Sequence, residues 1–154
     1  MRFVESSVVV QKPPDLVLNA FTVFYHLKNW WGVEKALIEL KPGGLYSLVW
    51  KITNDSMGFV TTGIVAEYLP ACQLKIQNMV YFSPQRSVLG PMELLVLTTP
   101  EEIGTTLTIV QSGYQNGSDW DWYYQAVKEA WPIVSVKIKD YLEMAHSLGF
   151  KKVF

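Results

Sequence analysis

The feature that most constrains this chain is a change of hydrophobic period. Between residues 35 and 114 apolar side chains recur at alternate positions in short runs broken by turn residues, and from Trp120 to Ala145 they recur three and four apart. Alternation buries one face of a strand, while a repeat near 3.6 buries one stripe of a helix. Hairpin strands followed by one long amphipathic helix pack naturally as an antiparallel sheet with one face against that helix. The sequence therefore reads as α+β. Its 154 residues, 49% of them apolar, suit a single domain over residues 1–154, large enough for one core without disulfide or metal staples.

The chain opens with a β-branched strand over residues 2–10. Pro13-Pro14-Asp15 stops it and starts a helix to about Thr22, because proline fits a first helical turn and Asp15 suits its positive end. A second short helix follows and reaches Trp30-Trp31-Gly32, with Gly32 as its terminator. Strands are predicted over residues 36–40, 45–53, 57–68, 73–82, 88–99 and 105–114, with turns at Lys41-Pro42-Gly43-Gly44, Asn54-Asp55-Ser56 and Leu69-Pro70-Ala71. The final helix starts near Ser118, read as its cap with Asp121 three residues on, and Pro132 is expected to kink it near Lys128.

Charge and cysteine usage exclude several classes. Thirteen basic residues against 14 acidic ones give no extended cationic field, so binding nucleic acid by phosphate neutralisation is not expected. Cys72 is the only cysteine, which rules out an intrachain disulfide and a thiolate zinc cluster. The start does not read as a signal peptide, and no run approaches the roughly 18 apolar residues of a membrane span. The expectation is a soluble cytoplasmic protein with no membrane span.

Catalytic signatures are sparse. His26 and His146 lie on different helices without metal-ligand spacing, Cys72 has no histidine near it in sequence, and Glu39, Glu67 and Glu93 stand singly on strands. No catalytic residue, metal ligand or cofactor is assigned, and enzyme activity is left open with the balance against it.

Strand parity places Tyr46, Leu48, Trp50 and Ile52 on one face of the third strand. It groups Thr62 with Val60, Ile64 and Ala66, Asn78 with Leu74, Ile76, Val80 and Phe82, and Gln111 with Leu107 and Ile109. Three polar residues, Thr62, Asn78 and Gln111, thus sit on apolar faces. They serve either a ligand or ordered water in a cavity, or backbone groups at strand ends and bulges. The 21 aromatic residues pose the same choice. Trp31, Tyr46, Trp50, Trp120, Tyr123 and Trp131 are expected to share one seam if the long helix packs on the sheet, where large rings either fill the space or surround it.

Order and motifs together resemble a known family. Pro14-Asp15-Leu16-Val17, Trp30-Trp31-Gly32, Lys41-Pro42-Gly43-Gly44, the strand and turn from Gly58 to Pro70, Gly104-Thr105-Thr106-Leu107, and Trp131 with Lys139-Asp140-Tyr141-Leu142-Glu143 carry the likeness. The chain resembles the START/Bet v 1-like helix-grip superfamily (SRPBCC), and within it the activator of Hsp90 ATPase (AHSA1-like) domains. That resemblance implies a curved antiparallel sheet of about six or seven strands around the C-terminal helix, two short helices between strands 1 and 2, and a cavity between helix and sheet. It implies three kinds of function: binding of a hydrophobic or aromatic small molecule, association with an Hsp90-type chaperone, or cyclase or hydrolase chemistry in the same cavity; the aromatic excess and the polar residues on apolar faces name Trp31, Tyr46, Trp50, Thr62, Asn78, Gln111, Trp120, Tyr123 and Trp131 as the candidates for the first. A monomer or a homodimer is compatible with each.

Overall fold

In the computed structural model, which describes residues 2–147 and side chains as far as Met144, a seven-stranded antiparallel sheet curves around one long helix. The elements are β1 (Phe3–Val10), α1 (Pro14–Thr22), α2 (Phe24–Trp31), β2 (Lys35–Ile38), β3 (Leu45–Trp50), β4 (Phe59–Leu69), β5 (Gln73–Phe82), β6 (Leu89–Pro100), β7 (Thr105–Ser112) and α3 (Ser118–Ser147). Sheet order is β1-β7-β6-β5-β4-β3-β2. Strands β2 to β7 are thus a meander of hairpins, and β1 returns to pair with β7. Helices α1 and α2 carry the chain between the two edges of the sheet. The His146 side chain lies outside the described residues.

Helix α3 buries Tyr123, Val127, Trp131, Ser135, Ile138 and Leu142, a row spaced by four, four, four, three and four residues. This is the stripe the period predicts. Its C-terminal half lies on β1, where the Ser6 and Ser135 hydroxyls meet at 3.0 Å in a buried contact. The helix runs on through Pro132. Its first turn is held differently from the expected capping box. The helix begins at Ser118 itself, and the Asp121 N–H donates to the Gly117 carbonyl at 2.7 Å. The two first-turn carboxylates reach other elements: Asp121 pairs with Arg2 at 2.9 Å, and Asp119 accepts from the Ser87 hydroxyl at 2.6 Å.

Two strand faces differ from those expected. In β5 the register shifts after Ile76, and Asn78 adopts a φ of 52°. This bulge turns Gln77 and Asn78 outward and brings Met79 and Tyr81 to the inner face, so Asn78 is exposed rather than buried in an apolar row. In β4 the inner set is Phe59, Thr61, Gly63 and Val65; Thr62 pairs with Ser47 of β3 and Val80 of β5 on the outer face. β3 also ends at Trp50, which leaves Ile52 in the loop beyond.

Candidate functional site

The inner face of the sheet and α3 do not meet everywhere. Near the N-terminal half of α3 they enclose a cavity of about 370 Å³. The sheet supplies Tyr46, Leu48, Trp50, Thr61, Tyr81 and Gln111, and α2 supplies Trp31 at one end. Facing them on α3 are Tyr123, Val127 and Trp131, together with Ala126 and Ala130. Those two alanines lie one turn apart, so this side of the helix is small where larger residues would close the gap. The exposed lining residues are Trp122, Ala130 and Lys51, which mark the mouth.

Six of the nine residues named from sequence line this volume: Trp31, Tyr46, Trp50, Gln111, Tyr123 and Trp131. Thr62 and Asn78 do not, because parity and the β5 bulge turn them outward. Trp120 lies on the correct stripe but in the first turn of α3, where Tyr114 covers it in an edge-on contact at 6.3 Å. Phe59, Thr61, Met79 and Tyr81 line the cavity without having been singled out. The αL-tolerant Asn78 was the available signal for a bulge that would bring Met79 and Tyr81 inward.

The rings around the cavity are pinned by hydrogen bonds. The Tyr46 hydroxyl donates to the Phe21 carbonyl at 2.6 Å, the Trp50 indole to the Trp31 carbonyl at 3.1 Å, and the Trp131 indole to the Gln111 side-chain oxygen at 2.9 Å. Trp31 stacks on Trp30 at 4.7 Å and meets Trp50 edge-on at 5.0 Å; Tyr81 stacks on Tyr123 at 4.6 Å. Collapse into the cavity would break these contacts and leave buried donors unpaired.

Burial pushes the Tyr46 and Tyr123 phenols well above their ordinary value, and that of Tyr81 upward, so all three are neutral donors near pH 7. Among the described residues, the lining contains no carboxylate and no imidazole, and Lys51 at the mouth is its one charged member. Glu93 pairs with Lys75 at 3.3 Å, while Glu39 and Glu67 are exposed. Such a wall can desolvate an apolar molecule and offer it phenol donors. Among the described residues, no group of three or more His, Cys, Asp or Glu side chains is placed to hold a metal, and no helix is long and apolar enough to cross a membrane.

Comparison with known proteins follows the same geometry. Residues 11–143 match the family model described as activator of Hsp90 ATPase homolog 1-like protein. Protein MLL2253 from Mesorhizobium loti shares the fold with a TM-score of 0.73 at 21% identity, over 93% of this chain and 98% of that one. The Aha1 dimer from Colwellia psychrerythraea gives 0.70 at 16% identity, over 93% and 97%. DynU16, from the dynemicin biosynthetic locus, gives 0.67 at 20% identity over 92% of this chain and 47% of that one. At these identities the likeness is one of fold. No curated protein matches the sequence.

Proposed function

Since the chain belongs to the activator of Hsp90 ATPase homolog 1-like family, within the START/Bet v 1-like superfamily, we propose that it binds a hydrophobic, ring-bearing small molecule between the sheet and α3. The observation that carries this reading is the cavity of about 370 Å³ bounded by pinned aromatic rings. Interiors close-pack when nothing opposes it. Here Ala126 and Ala130 leave room that the hydrogen-bonded rings do not take up. The volume is near the lower end of small-molecule pockets, roughly 300–1,000 Å³, which favours a compact ligand.

Native mass spectrometry and quenching of tryptophan fluorescence across a panel of aromatic molecules test the proposal. Binding that disappears in Ala126→Phe, at an unchanged melting midpoint, supports it. A panel with no retained molecule, or binding indifferent to Ala126→Phe, refutes it.

The family description and the Aha1 neighbour support a second reading, association with an Hsp90-type chaperone. A pull-down with the host chaperone that gives no enrichment removes that support. Sedimentation velocity distinguishes a monomer from a homodimer.

A further inference from the structure

Several polar groups around the cavity are committed in a way that leaves the Tyr123 hydroxyl proton over. An indole N–H can only donate. The Trp131 N–H, 2.9 Å from the Gln111 amide, therefore fixes the oxygen of that amide toward itself. The amide nitrogen then faces the other way, and donates to the Tyr123 hydroxyl oxygen at 3.0 Å and toward the Met92 sulfur at 3.6 Å. Gln111 has no further hydrogen to offer. Tyr123 accepts in this arrangement, so its own proton has no acceptor among the described residues. Tyr123 is 7% exposed and lines the cavity, where a bound molecule can meet its phenol. Burial raises the pKa of the phenol, so it keeps the proton at any ordinary pH. The Tyr46 hydroxyl and the Trp50 indole already serve backbone carbonyls. Tyr81 is only half-buried, and water can serve it.

We infer that the ligand carries a hydrogen-bond acceptor, a carbonyl oxygen or an aromatic ring nitrogen, which takes the Tyr123 phenol proton while its apolar body lies against the aromatic wall. This rests on the cavity being the ligand site. Trp131 and Gln111 act as positioning residues, because together they decide that Tyr123 donates inward rather than accepts. A ligand presenting only an N–H at that place meets a donor facing a donor and is rejected. A charged ligand is disfavoured by the uncharged wall behind the mouth.

Benzophenone and 1,1-diphenylethylene are a matched pair of probes, equal in shape and differing by oxygen against CH2. The wild-type protein should bind benzophenone roughly fivefold more tightly, the effect of one net hydrogen bond. Tyr123→Phe should bring that ratio to about one and leave diphenylethylene affinity unchanged, whereas Tyr81→Phe should keep the ratio. The benzophenone carbonyl band should move to lower frequency on binding the wild type and return in Tyr123→Phe. Equal affinities in the wild type, a ratio retained in Tyr123→Phe, or an unmoved carbonyl band overturns the acceptor while the cavity reading stands. Failure of both probes to bind overturns the two together.

Discussion

Replacing Gln111 by leucine tests the clamp between β7 and α3 on which the site geometry depends. The side chain is 3% exposed and holds Trp131, itself 6% exposed, through a 2.9 Å bond. In Gln111→Leu the indole N–H has no other partner to turn to, and an orphaned buried donor costs about 1–3 kcal/mol. Tyr123 loses one donor to its oxygen, about 1 kcal/mol, and can reorient its hydroxyl. Removing the buried amide in favour of an alkyl group returns about 1 kcal/mol. The net loss is about 2 kcal/mol, or roughly 4–8 °C in melting midpoint for a chain of this size. Urea unfolding followed by far-UV circular dichroism measures it, with an unchanged m-value as the check on two-state behaviour. The same substitution in a Trp131→Phe background has no N–H to orphan, so it should cost about 1–2 kcal/mol less there. An equal cost in both backgrounds would show that the clamp is not what stabilises this seam.

Two further outcomes follow from the backbone and the buried titratable groups. Gly58 has a φ of +72°, and a Cβ there would lie 2.2 Å from the Trp50 carbonyl oxygen and 2.3 Å from that of Lys51, so Gly58→Ala should cost more than about 2 kcal/mol in urea unfolding and disturb probe binding at the mouth; a wild-type midpoint would contradict this. Burial holds the His26 imidazole below its ordinary 6.5, so as pH falls past that value the unfolded chain takes up a proton the folded chain resists. The associated stability is present above pH 6.5 and is lost as pH falls through the folded value, so His26→Gln should flatten the decline between pH 7 and 5, and superimposable profiles would count against it.

The fold was legible because its elements have distinct periods and are bounded by strong breakers. Pro14 and Gly32 bracket the two short helices, and Gly43-Gly44 and Gly104 mark turns that the strands respect. The row Tyr123, Val127, Trp131, Ile138 and Leu142 is buried as its spacing requires. The start of α3 was less legible. Ser118 and Asp121 have the look of a local cap, yet Asp119 and Asp121 are held by Ser87 and Arg2, which lie far away in sequence. A local motif cannot reveal that a distant partner binds the carboxylate more directly.

The candidate site was legible only where alternation puts the expected face inward. In β7 parity holds, and Gln111 points inward with Leu107 and Ile109. In β4 it misleads for two physical reasons. Gly63, an inward position, contributes no hydrophobic signal, and the outer set of Val60, Ile64 and Ala66 is apolar because the outer face near β2 and β3 is itself half-covered, with Val49 only 8% exposed. In β5 a single bulge reverses every later side chain, which exchanges Asn78 for Met79 and Tyr81. Both failures lie at the cavity wall, and the connection is mechanical. A sheet that bends away from its helix needs register shifts, and they occur along the β4–β5 and β5–β6 pairs. The bulge that hid Tyr81 from the sequence is thus part of what curves the sheet and stacks Tyr81 on Tyr123, whose phenol proton faces the cavity without an acceptor among the described residues. In a fold of this kind, breaks in strand parity next to aromatic residues point toward the cavity better than the polar residues that parity places on the inner face.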